Sequence, residues 1–260
     1  MIDFKEKEQY SMEDLVRIVA MLRDPKDGCP WDKQQTHQSI RQNMIEETYE
    51  VIEAIDLEDT ALLREELGDV LLQVVFHSQM EAEKDSFNFD AVCDEVAKKL
   101  VYRHPHVFGQ LKADTADGAL EAWEKMKNQE KGRDTAADRL DSIPASLPAL
   151  MRAAKAQKRA AAYGFKPQDT EETLRALSEK VCELTENPDD PKQAVGQVLF
   201  AAVAAARSMG VEPEEALSKA TETFCQQVKQ CETEAEKDGK LLEDLDRQQL
   251  SEYWNKTCPL

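Results

Sequence analysis

Two short acidic groups in this 260-residue chain have the residue types and the spacing to hold a divalent cation. Glu46, Glu47 and Glu50 form E-E-x-x-E, and Glu65, Glu66 and Asp69 form E-E-x-G-D. Spacings of three and four residues put carboxylates on one face of a helix. If the two helices pack antiparallel, Glu47 and Glu50 converge on Glu66 and Asp69. Such a nest of oxygens repels itself unless a cation sits in it. Hard oxygen donors with water in the remaining positions suit Mg²⁺, which commonly bridges protein carboxylates and substrate phosphates. Taken singly, either group is an ordinary solvated helix face in an acidic protein. Three features together favour a site: the groups lie on adjacent helices, an apolar run follows each, and Gly68 interrupts the third helix. A mid-helix glycine costs about 1 kcal/mol relative to Ala and is consistent with close backbone approach. A di-iron carboxylate bundle also draws glutamates from packed helices, but it needs E-x-x-H pairs, and neither group has a histidine there.

The elements that must position these residues are helical throughout. Ser11 with Asp14 resembles a capping box, and Leu15, Ile18, Val19 and Leu22 recur at helical spacing until Asp24-Pro25. After a loop carrying Gly28-Cys29-Pro30-Trp31-Asp32, a second helix is predicted from about Ser39 to Ile55. Ile40, Met44, Ile45, Thr48, Ile52 and Ile55 form its expected buried stripe. A third helix is expected from about Thr60 to Lys84, a fourth from near Asn88 to Arg103, where His104-Pro105 stops it, and a fifth from Asp117 to Lys131. Residues 132–147 mix charge, small residues and a proline without clear periodicity and read as a linker. The pattern then starts again. Gly68-Asp69-Val70-Leu71-Leu72 lines up with Gly196-Gln197-Val198-Leu199-Phe200, and Glu46 to Val51 with Glu179 to Leu184. The expectation is an all-α chain with two tandem repeats, 1–131 and 148–260.

Composition narrows the function. A formal net charge of −19 repels phosphate backbones and anionic lipid surfaces, so neither nucleic acid nor membrane is an expected partner. The N-terminus has no apolar leader, no stretch approaches eighteen unbroken apolar residues, and the six cysteines form no C-x-x-C pair. Free thiols and a cytoplasmic location are the expectation.

Four motifs in order carry a resemblance: G-C-P-W-D-K-x-Q-T-H at 28–37, E-E-T-Y-E-V at 46–51, E-E-L-G-D at 65–69 and R-H-P-H-V-F at 103–108. Together they closely resemble the MazG nucleotide pyrophosphohydrolases, strongly from about residue 12 to 131 and more weakly past residue 153. The resemblance implies an all-α hydrolase that cleaves nucleoside triphosphates or deoxynucleoside triphosphates between the α and β phosphates, giving a monophosphate and pyrophosphate, with a role in clearing non-standard nucleotides. It implies that Glu47, Glu50, Glu66 and Asp69 hold Mg²⁺, with Mn²⁺ as a substitute. Glu46 would help with a second ion or the attacking water, so Glu46, Glu47 and Glu50 are the catalytic candidates. Lys99 and Arg103 match the family's phosphate-contacting K-x-x-x-R, and Trp123 with Lys127 matches a W-x-x-x-K pair near the nucleotide, the indole offering a flat apolar surface. Glu65 and Trp31 join the substrate-binding set. Without the family, Lys99 and Lys127 read as surface charges, Trp123 as a core anchor, and Trp31 as loop packing or base stacking. Family enzymes are typically homo-oligomers, so at least a homodimer is expected.

The second repeat departs from this pattern. Lys180 stands where the first repeat has Glu47, Ala194 where it has Glu66, and Gln197 where it has Asp69, while only Glu183 remains, opposite Glu50. Thr223 and Gln227 replace the phosphate pair. This repeat reads as a catalytically inactive pseudo-site. Its degradation leaves two rivals open: a non-enzymatic nucleotide sensor or interaction module, and a narrow deoxynucleotide enzyme akin to the helical dUTP and dCTP pyrophosphatases.

Overall fold

The computed structural model describes residues 4–133, 135–165, 167, 169–186 and 188–257; Cys258, expected as a free thiol, lies outside them. Among the described residues every regular element is helical. The chain divides into two compact units, Met1–Lys127 and Asn128–Leu260.

The first unit begins with Met12–Leu22 (α1), Arg41–Asp56 (α2), Thr60–Ala82 (α3) and Phe89–Arg103 (α4), followed by the single turn Pro105–Phe108 (α5) and Ala116–Glu130 (α6), which runs into the second unit. Local chemistry sets these boundaries. Ser11 and Asp14 form the expected capping box, the Asp59 carboxylate accepts from the amides of Ala61 and Leu62, and Asn88 accepts from Ala91. α4 stops at Arg103 as expected. Pro105 then opens one further turn, because a proline at the first helical position gives up an amide that had no partner anyway.

Only Leu57, Glu58 and Asp59 separate α2 from α3, and Glu58 takes a left-handed φ of 54° to make the reversal. So short a connection makes the pair an antiparallel hairpin. Val19, Ile40, Val75, Phe76 and Met80 form the core, with Met12, Leu15, Val16, Leu72 and Phe89 packed on it. That core joins α1 to the C-terminal half of α3, with Ile40 from just before α2 and Phe89 from the start of α4. The other end of the hairpin is left for the carboxylates.

The buried stripe of α2 differs from the expected one. Ile45, Ile52 and Ile55 are exposed by 40%, 45% and 55%, and Thr48 is exposed as well. Ile40 and Met44 turn inward as expected, but the inward face then continues through Glu47, Val51 and the fully buried Ala54. Glu47 therefore lies on the same inward face as Ala54. Gly68 also departs from expectation: a Cβ there would meet no atom within 4 Å, so nothing in this chain requires a close backbone approach.

The second unit contains Ala136–Asp141 (α7), Ala149–Ala161 (α8), Thr170–Thr185 (α9), Pro191–Ser208 (α10), Pro213–Lys237 (α11) and Arg247–Thr257 (α12). α7 lies inside the segment expected to be a linker. Thr135 caps it with a second capping box, and Arg159 of α8 donates to the Arg139 carbonyl and, at 2.6 Å, to Ser142. Ile143 is buried behind it. Cys231, Ala235 and Tyr253 form a core joining α11 to α12. No single helix among the described residues is long and apolar enough to cross a membrane.

Candidate metal centre

α2 and α3 bring Glu47, Glu66 and Asp69 together. One carboxylate oxygen from each lies within 4.8 Å of the others, and all three side chains are half-buried. Glu50, one turn beyond Glu47, hydrogen-bonds both Glu47 and Glu66. Burial raises the Glu47 carboxyl above its ordinary value, and the Glu50 hydrogen bond and the charges of Asp69, Glu50 and Glu66 raise it further. Burial likewise raises Glu66, followed by the charges of Glu50, Asp69 and Glu65. The charges that dominate at both groups are other carboxylates. A set of hard oxygen donors whose charges repel one another fits a divalent cation.

Not every expected residue joins the nest. Glu46 is exposed and accepts from Gln42 at 3.4 Å, and Glu65 is exposed and acts on Glu66 only through its charge. Lys99 pairs with Glu95 at 3.4 Å on α4. Arg103 is buried, with its guanidinium carbon 5.4 Å from the centre of the Trp123 ring, and the Lys127 ammonium lies 4.5 Å from the same centre. Arg103, Trp123 and Lys127 thus meet, although Arg103 and Trp123 come from different helices. Trp31 stands 58% exposed on the loop before α2.

The loop itself is fastened by groups that sequence reasoning missed. Arg23 Nε and Nη2 donate to the two oxygens of Glu83 at 2.7 and 2.8 Å, and Nη1 donates to the carbonyls of Asp32 and Gln35. His37 Nδ1 lies 2.7 Å from His77 Nδ1, and His37 Nε2 lies 2.7 Å from Glu81. His37 belongs to a quoted motif. Nothing in the sequence pairs it with residues 40 and 44 positions away.

In the second unit Lys180 Nζ reaches both oxygens of Glu183 at 2.7 Å. This carboxylate is paired with a cation one turn away on its own helix.

A helical hairpin that gathers carboxylates from both arms defines an all-α protein with a candidate cation site. Residues 35–108, from the end of the Trp31 loop through α5, match the MazG nucleotide pyrophosphohydrolase domain. Over 246 residues the chain is 42% identical to the Thermotoga maritima nucleoside triphosphate pyrophosphohydrolase/pyrophosphatase MazG, covering 94% of each protein. It is 41% identical over 253 residues to the Escherichia coli K12 nucleoside triphosphate pyrophosphohydrolase, covering 93% of this chain and 95% of that one. It is also 42% identical over 245 residues to YabN of Bacillus subtilis, of which it covers 50%. The chain belongs to the MazG nucleotide pyrophosphohydrolase family.

Proposed function

We propose that this protein hydrolyses nucleoside and deoxynucleoside triphosphates to monophosphates and pyrophosphate, with Mg²⁺ held in the first unit and Mn²⁺ as a substitute. The observation that carries this reading is the convergence of Glu47, Glu66 and Asp69, joined to relatives named for that activity. Glu47, Glu50, Glu66 and Asp69 would hold the ion. When bound, it shields phosphate charge and acidifies water. Water attacks the α–β phosphoanhydride and the bond to the bridging oxygen breaks, with Glu50, hydrogen-bonded to Glu47 and Glu66, held among the ion's ligands. Glu46 serves a second ion or, by accepting its proton, the attacking water, and Glu65 meets the substrate. Lys99, Arg103 and Lys127 meet phosphate oxygens, and Trp31 offers an exposed ring to the base. Clearing non-standard nucleotides follows as the physiological role.

Residues 148–260 are a duplicated copy of the catalytic repeat, 1–131, with 132–147 between the two repeats. It retains the helical pattern but has lost the cation site. The protein acts in the cytoplasm, in keeping with free thiols at Cys29, Cys93, Cys182, Cys225 and Cys231. It is at least a homodimer. The outward apolar row Ile45, Tyr49, Ile52 and Ile55 on α2 supports that reading, which a 29.4 kDa species in light scattering would overturn.

The deciding experiment is pyrophosphate release from a panel of triphosphates, with and without Mg²⁺, in the wild type, Glu47→Gln and Asp69→Asn. Metal-dependent release that falls roughly a hundredfold or more in both variants supports the reading. A folded wild type that binds triphosphates without turnover would make the protein a sensor instead.

A further inference from the structure

We propose that Gln73 and His77 form the nucleoside end of the site: the Gln73 amide and one His77 ring nitrogen hydrogen-bond the sugar or the base of a triphosphate whose phosphates meet the carboxylate nest. This deepens the reading of the protein as a triphosphate hydrolase and rests on it.

Asp69, Gln73 and His77 follow one another at four-residue intervals on α3, which stacks them along one face of the helix. Gln73 stands about 6 Å and His77 about 12 Å along the axis from Asp69. Long helical side chains lean towards the N-terminus, so Gln73 lies over the turn that carries Asp69. It interrupts an otherwise apolar run from Val70 to Phe76, and only 9% of it is exposed. An apolar side chain there would bury more apolar surface, and the amide makes no hydrogen bond among the described residues that would offset the difference. Neither of its polar atoms is sealed from solvent. A donor and an acceptor therefore stand open one turn from the nest, a pairing suited to neutral hydroxyl, carbonyl and amino groups.

His77 is held from its other side. Its Nδ1 lies 2.7 Å from His37 Nδ1, with the rings stacked 5° from parallel, and the Nε2 of His37 engages Glu81 at 2.7 Å. Among the described residues, Nε2 of His77 is the ring nitrogen of the pair left for a ligand. Burial, then the charge of His37, lowers the His77 value, which keeps the ring neutral and suited to an uncharged partner. When Gly196 is aligned with Gly68, α10 has Gln197, Ala201 and Ala205 where α3 has Asp69, Gln73 and His77. Both polar groups are missing from the helix that also lacks the acidic set, as expected if stripe and nest serve one ligand.

Gln73→Met keeps the volume and removes both hydrogen-bonding groups. In this variant KM should rise about tenfold for nucleoside triphosphates, while the inhibition constant for inorganic tripolyphosphate, which has no nucleoside, stays unchanged. Rises that differ between ribonucleotides and deoxyribonucleotides place the amide at the sugar; rises that differ among bases place it at the base. No rise, or an equal rise for tripolyphosphate, overturns the proposal. A second measurement needs neither variant nor turnover. With Mg²⁺, an α,β-imido nucleoside triphosphate should shift the Gln73 side-chain amide and His77 ring resonances in the wild-type NMR spectrum, and tripolyphosphate should not. Equal shifts with both, or none, overturn it. If the wild type hydrolyses no triphosphate, the functional reading fails separately, and calorimetry decides the subsite. Imido-analogue binding about tenfold weaker in Gln73→Met, with tripolyphosphate bound equally by both proteins, upholds it; equal affinity for the analogue, or no binding by the wild type, overturns it.

Discussion

Glu47 occupies a seam position of α2 that a core residue would ordinarily fill, between Met44 and Val51. Burial there penalises its charge, and neighbouring carboxylates penalise it further, which raises the Glu47 carboxyl above its ordinary value. A divalent cation relieves both penalties at once. This is why Glu47→Gln and Asp69→Asn are expected to lose metal-dependent turnover while keeping the fold. Gly68 is the counterpart on α3: an exposed helical position whose missing Cβ would touch nothing. Gly68→Ala should therefore stabilise the unit by about 0.5–1 kcal/mol, read as a melting temperature higher by roughly 2–5 °C. An unchanged or lower melting temperature would show that the bare backbone serves the fold itself.

Two fastenings set how the loop before α2 meets α3. Arg23 is buried and engages Glu83 and two loop carbonyls, so Arg23→Ala leaves several acceptors without a donor. Because Glu83 is partly exposed, the expected loss is discounted to about 2 kcal/mol, measurable by urea denaturation. At the second fastening, the hydrogen bond from Lys84 and then that from His37 hold the Glu81 carboxyl down from its ordinary 4.5 to about 2. A depressed carboxyl contributes stability above its unfolded value and loses it as pH falls through the folded one. The difference in melting temperature between wild type and Glu81→Gln should thus be full above about pH 5 and shrink towards pH 2. A constant difference over that range would refute the charged pairing. Burial, then the charge of His37, lowers the His77 value, consistent with a neutral ring accepting or sharing one proton with His37.

At the scale of the whole molecule, the two helical units carry different electrostatics. The first gathers carboxylates that need an external cation; the second pairs Glu183 with Lys180. Mg²⁺ should therefore increase amide-exchange protection on α2 and α3 and leave α9 and α10 unaffected. At a hundred times its dissociation constant the ion adds about 2.7 kcal/mol to the state that binds it. Protection gained equally in both units would contradict a first-unit site.

The helices, their caps and the order E-E-x-x-E before E-E-x-G-D were legible from the sequence alone, because propensity, capping and 3.6-residue spacing act over one or two turns. So was the different chemistry at Lys180 and Gln197, since one is a cation and the other neutral whatever the packing. The rotation of α2 was not legible. Apolar residues lie on both of its sides, and the side turned inward is the one bearing Glu47 and Ala54, not the one bearing Ile45 and Ile52. Nor could spacing bring Arg103 to Trp123, or Arg23 to Glu83, across 20 and 60 residues. Short-range periodicity fixes which face a residue occupies on its own helix; only the packing of the folded units decides which faces meet.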